Sequence, residues 1–170
     1  MRKNKKEIPS SSVGLHGFYH LQIVDEKAGK VVGDSGRRHN LITMDGLNNF
    51  IAKLFAQTTG SQAVSMAALG SSASIVVSSN TILPGSFATT LHKTVATSVI
   101  STTAYMTGGH TVRYTATWVS GTSTPIIGNV GLYGAPASNI FCGGSYATSS
   151  VASNQAINLT YDVVFIASTS

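Results

Sequence analysis

The sequence predicts a mainly β protein, an antiparallel, jelly-roll-like β-sandwich with one amphipathic helix near residues 44–57. Three observations lead there. Apolar and polar residues alternate one for one in two long stretches, as they do when one face of a strand is buried. Turn-forming clusters of Gly, Ser, Asn and Pro separate several short strand-like runs, and no regular strand–helix alternation points to a parallel sheet. A single stretch carries the helical period instead.

The first strand pattern is "GFYHLQIV", which turns at "DEKAGK" and returns as "VVGDSG", a hairpin whose charged tip, Asp25, Glu26 and Lys27, suits solvent. The stretch "NLITMDGLNNFIAKLFAQ", Asn40 to Gln57, then reads as one helix. Leu47, Phe50, Ile51, Leu54 and Phe55 fall on one stripe, with Asn48, Asn49, Lys53 and Gln57 on the other side. Thr43 or Asp45 can cap its first turn by accepting a backbone N–H. Such a helix must lie against something. Packing on the domain's own sheet, plugging an end or covering an edge, is the expected arrangement; docking into a partner is the alternative.

"QAVSMAALGS" gives a further strand, and the Ser-rich run from Ser71 to Thr90 reads as a long loop. "TVATSVISTTAYM" and "TVRYTATWV" form a predicted hairpin about the turn "TGGH". In the second of these, Val112, Tyr114, Ala116 and Trp118 face inward, and Arg113, Thr115 and Thr117 outward. "IIGNVGLYG" and "NIFCGGSY" make another antiparallel pair joined by "GAPAS". In "INLTYDVVFI", Ile157, Leu159, Tyr161, Val163 and Phe165 define the buried face of the last strand.

A chain of 170 residues is long enough for one domain with its own core, here residues 14–170, preceded by a basic, flexible arm over residues 1–13. Charged residues make up only 10%, and after Lys53 the sole charges are Lys93, Arg113 and Asp162. A surface made mainly of Ser, Thr, Asn, Gly and Ala suits faces buried in a symmetric assembly, where unpaired charges would be costly to desolvate. Much of the net charge of +5 sits in Arg2, Lys3, Lys5 and Lys6. No apolar segment follows them, so a signal peptide is not expected, and no later stretch is suited to spanning a bilayer. These four residues are the candidate partner-binding site, an arm laid on an acidic neighbour or on packaged nucleic acid; a merely solvated terminus is the plain alternative. Without interleaved aromatic residues they give no sign of base recognition, and nucleic acid is not an expected partner.

Chemistry-bearing patterns are sparse. The six acidic side chains suggest no facing pair of the kind glycoside hydrolysis needs. His16 and His20 lack a nearby carboxylate or thiol to complete a metal set, and Cys142 stands alone as a small core residue. Neither a G-x-S-x-G elbow nor a phosphate-binding G-x-x-x-x-G-K-[ST] loop is present. No catalytic, cofactor-binding or metal residue is therefore expected.

Taken in order, "GDSGRRHNLITMDGLNNFIAKLFA", "MAALGSS", "WVSGTSTPIIGNVGLYG" and "INLTYDVVFI" resemble small virion structural proteins of tailed bacteriophages, found among tail-fibre and other tail-associated genes. The resemblance runs from about Gly33 to Ile166. It implies a non-enzymatic, architectural role in the virion, with other virion proteins and further copies of the chain as partners. Two positions depart from it. Asn129 stands where those proteins often carry an acidic residue before "VGL", and "FCGGSY" lacks the Arg they often carry in the following strand. Three functions are compatible with these features: a tail-, fibre- or neck-associated component, a capsid decoration protein, and a carbohydrate-binding module or hydrolase. The inward assignment of Trp118, the only tryptophan, disfavours an exposed aromatic platform for the last.

Overall fold

A computed structural model describes residues 11–53, 56, 63–85, 92–100, 109–119, 126–134 and 139–169. Among the described residues, ten antiparallel strands form one sheet that is nearly closed into a barrel. The strands are β1 (Ser11–Asp25), β2 (Lys30–Asp34), β3 (Arg38–Ile42), β4 (Val64–Gly70), β5 (His92–Thr94), β6 (Ala96–Ile100), β7 (Gly109–Trp118), β8 (Ile127–Gly134), β9 (Ile140–Ser149) and β10 (Gln155–Thr169). Their spatial order is β5-β4-β8-β9-β3-β1-β10-β7-β6, with β2 paired to β1 off this path.

The sheet turns at two corners, one within β3 and one between β5 and β6. Within β3, Arg38–Asn40 pair with Tyr19–Gly17 of β1, whereas Leu41 and Ile42 pair with Gly143 and Cys142 of β9. On the far side, β5 pairs with β4, the Val95 N–H donates to Ser65 O at 3.0 Å, and β6 then pairs with β7. A strand that changes partners partway is how a twisted sheet folds round on itself.

Every predicted hairpin is found: β1 with β2, β6 with β7, and β8 with β9. The connecting turns "TGGH" and "GAPAS" fall largely outside the described residues. Asp25 shapes the β1–β2 tip by accepting from the N–H groups of Lys27 and Ala28. The inward positions of β7 and β10 hold, placing Trp118, Tyr161, Leu159 and Ile157 in the core with Tyr19 and Leu21 of β1, but Asp162 and Val164, expected on the outward side of β10, are buried as well. The boundary expected at residue 13 falls inside β1, because Ser11–Val13 pair with Thr169–Ala167.

The helix differs from its prediction in two ways. Asn40–Ile42 belong to β3, since Thr43 accepts the Gly46 N–H through Oγ1 at 2.9 Å and the helical winding begins only after it. Over Gly46–Ala52 the winding is π-helical. Bonds to the fifth residue need more residues per turn, so the three-residue spacing no longer brings Leu47 onto the face of Phe50. Phe50 is buried and meets the Phe141 ring at 5.1 Å, whereas Leu47, expected in the core, is 39% exposed. Leu54 and Phe55 lie outside the described residues.

Residues 71–85 form no strand, as predicted, but they are not a free loop. They lie across the outer side of the β4–β8–β9 half, where Val76 and Leu83 pack with Ala68, Tyr133 and Ile140 into a second core cluster. Their outward residues Ile75, Val77 and Ile82 are exposed, as is Met44, whose N–H donates to Ser78 O at 2.8 Å.

Gly46 is placed where any Cβ would collide with the Phe141 carbonyl, a backbone group that cannot swing aside. Gly46→Ala is expected to cost about 3 kcal/mol or more, by overpacking a rigid contact. Phe50→Ala should cost a similar amount, about 3–5 kcal/mol, by leaving a cavity. Urea unfolding followed through Trp118 fluorescence measures both. Wild-type stability in either variant would mean that the helix does not seat on β9.

Candidate functional site

The outer face of the β3–β1–β10–β7 half brings together ionisable groups from four strands of a charge-poor chain. Strand register builds it. His39, Phe18, Asp162 and Arg113 are successive cross-strand neighbours, so they form one row across four strands. His20, Thr160 and Thr115 form the next row.

Phe18 anchors the first row. Its ring has the Arg37 guanidinium carbon 3.8 Å above its centroid and the His39 ring at 4.5 Å. The cation over the aromatic face is attracted by the ring quadrupole, which restrains an otherwise flexible side chain. At the other end, Arg113 holds Asp162 through two parallel bonds, Nε to Oδ1 at 2.7 Å and Nη2 to Oδ2 at 2.9 Å. The Asp162 side chain is only 5% exposed and that of Arg113 32%. A carboxylate this buried depends on its guanidinium.

Below these, Asp34 organises the bend that carries Arg37. It accepts from Gln22 Nε2 at 3.1 Å and from the Gly36 N–H at 2.6 Å, and it bonds His20 Nε2 at 2.6 Å. Those hydrogen bonds, Gln22 foremost, hold its carboxyl below the usual carboxylate range. Arg38 Nε donates to Ser35 O at 2.9 Å and closes the same bend. A pocket of about 220 Å³ opens in this face, lined by Phe18, His20, Arg37, Arg113, Thr160 and Asp162. Such a set can pair with charge and donate hydrogen bonds.

Two other cavities have different character. One of about 440 Å³ is mainly apolar and lies at the barrel end beside Phe50, Phe141, Val163 and Phe165. The other, about 120 Å³, lies between β2 and the end of β9. Among the described residues, no three of His, Cys, Asp and Glu come together as metal ligands. No helix among them is long and apolar enough to cross a membrane.

The predicted arm residues Arg2, Lys3, Lys5 and Lys6 lie outside the described residues. His16 and His20 share the outer face of β1, and His20 has the carboxylate partner, Asp34, that sequence spacing did not supply. Cys142 is fully buried in the core, and burial pushes its thiol pKa up to about 12. Sequence reasoning missed Arg37 and the Arg113–Asp162 pair. The signal was present, because Arg113 and Asp162 are the lone charges of two strands and both occupy outward positions in the alternation.

No protein-family model matches the chain, and no curated protein or solved structure matches it.

Removing Arg113 strands a buried carboxylate. Arg113→Ala is expected to lower stability by about 2–3 kcal/mol, less than a fully buried pair would lose, because solvent reaches the guanidinium. Asp162→Asn should cost less than Arg113→Ala, since it removes the charge and keeps the shape. Thermal unfolding of the two variants checks the order. For Cys142, an acid with a raised folded pKa binds its proton more tightly when folded. Its contribution is therefore present below the ordinary thiol pKa and is lost as pH rises above it. Iodoacetamide at pH 8 should leave Cys142 unmodified in the folded protein and alkylate it fully in denaturant, as read by intact mass.

Proposed function

We propose that this chain is a non-enzymatic structural protein of a tailed-bacteriophage virion, a tail-, fibre- or neck-associated component that assembles through its β domain. One observation carries the reading: the stretches that resemble such proteins meet at the joints of the fold. Asn40 of "NLIT" donates through Nδ2 to the Tyr161 hydroxyl of "INLTYDVVF". Ala67–Gly70 of "MAALG" pair with Leu132–Asn129 of "NVGL". The two departing stretches also meet, because Asn129 pairs across the sheet with Ser145, which lies within "FCGGSY". A resemblance borne by joints is one of architecture, and its role is to hold a shape against neighbours.

The curled sheet, with its two corners, is compatible with a flattened, jelly-roll-like sandwich. The exposed aliphatic side chains on the 71–85 segment and Met44 suit contact with further copies of the chain or with other virion proteins. The Arg2–Lys6 arm then supplies an electrostatic tether. A capsid decoration role differs in copy number alone.

Quantitative mass spectrometry of purified particles tests the proposal. A few to a few dozen copies per particle are expected, whereas hundreds would move the protein to the shell and absence from particles would overturn the reading. Deleting residues 1–8 should leave the melting temperature unchanged and reduce incorporation. Incorporation of the full-length chain should fall with added salt, because exposed charges are screened over about 8–10 Å near physiological ionic strength.

A further inference from the structure

We infer that the pocket on the outer β3–β1–β10–β7 face is a binding site for a small oxyanion, a phosphate or carboxylate group, held between Arg37 and Arg113. Three observations carry this.

The first is the balance of charge. The pocket walls carry two guanidinium groups, Arg37 and Arg113, against one carboxylate, Asp162, while Asp34 beside it is engaged by His20, Gln22 and the Gly36 N–H. Asp162 is almost wholly shielded from solvent, and the Arg113 guanidinium is the exposed member of that pair. An incoming ligand therefore meets cations first.

The second is preorganisation. A guanidinium has five N–H groups in one plane, suited to paired bonds with oxyanions. Asp162 takes two bonds from Arg113 and so fixes its plane. The Phe18 ring lies beneath Arg37 and is itself backed by the tilted His39 ring, and the Asp34 bend fixes the backbone that carries Arg37. Side chains already immobilised lose little entropy when a ligand arrives, which leaves more of the contact energy for affinity.

The third is the supply of polar groups around the cations. The Thr160 hydroxyl can donate to a third oxygen, and His20 lines the same wall. The pocket, about 220 Å³, accommodates a phosphate or carboxylate with part of the molecule that bears it. In a chain with three charged side chains after Lys53, two of them, Arg113 and Asp162, have been brought to this one place beside the early arginines.

The site does not depend on the virion role and is tested apart from it. Full-length ¹⁵N-labelled protein is titrated with sodium phosphate, sodium acetate and glucose at constant ionic strength set with sodium chloride. Phosphate or acetate should shift the amides of Phe18, His20, Arg37, Arg113 and Thr160 with saturation, and glucose should not. The anion that binds tighter identifies whether the natural ligand presents a phosphate or a carboxylate. Arg37→Gln should weaken binding at least tenfold, with Arg37→Lys intermediate. Arg37 carries the test because Arg113 also supports the fold. Non-saturating shifts with both anions, an equal response to glucose, or undiminished binding by a folded Arg37→Gln variant would each overturn the inference.

Discussion

Thr43 joins the two halves of the barrel, and the surrounding elements take their positions from its bonds. Its N–H donates to Phe141 O at 3.1 Å, its hydroxyl donates to Ile140 O at 2.7 Å, and the same hydroxyl oxygen accepts the Gly46 N–H at 2.9 Å. One fully buried residue thus ends β3, continues its attachment to the start of β9 and begins the helix. Valine would match its shape but leave a buried donor and acceptor without their partner. Gly46 completes the joint by bringing helical backbone against the Phe141 carbonyl. With both in place, Phe50 lands beside Phe141 and the helix becomes part of the core.

Burial on both faces of β8 follows from the same half of the sheet. Its inner face belongs to the main core, and its outer face is covered by residues 71–85. That segment is fastened by side chains of the sheet. Asn129 Nδ2 donates to Pro84 O at 2.8 Å, the Tyr133 hydroxyl accepts the Leu83 N–H at 2.7 Å, and Ser145 Oγ donates to Ser74 O while accepting the Val76 N–H. This gives the amide at position 129 a physical reason. An ionised carboxylate there could not donate to the Pro84 carbonyl and would face a lone pair instead. The neutral pair Asn129 and Ser145 therefore serves to attach the covering segment.

The strands were legible because their signal is local. Alternation alone placed Trp118 and Tyr161 inward and Arg113 outward, and turn residues marked the three hairpins. The helix was legible as a stripe, but its start was not. Leu41 and Ile42 fit a helical pattern as well as a strand, and only their pairing with Gly143 and Cys142, about a hundred residues onward, decides. The exposure of Leu47 was hidden because α-helical spacing puts it on one stripe with Phe50, whereas the winding over Gly46–Ala52 is π-helical. The candidate site was half legible. Its charged members could be named, but bringing Arg37 over Phe18 and Asp162 to Arg113 required register across four strands, and register is a property of the assembled sheet.

The scarcity of charge makes its placement consequential. The pairing of β1, β10 and β7 collects arginine, histidine and aspartate on one outer face, while the segment covering β4, β8 and β9 carries Ile75, Val77 and Ile82 outward on the other half, with Ile75 78% exposed. The two faces suit opposite environments. An aliphatic face gains by excluding water, whereas an ionic face works while wet, because full desolvation of its charges would cost more than their mutual attraction returns. An assembly that covers the aliphatic side therefore leaves the arginine-bearing side open to small solutes. Because the pocket and the covered segment lie on different halves of one barrel, either can be filled without displacing the other.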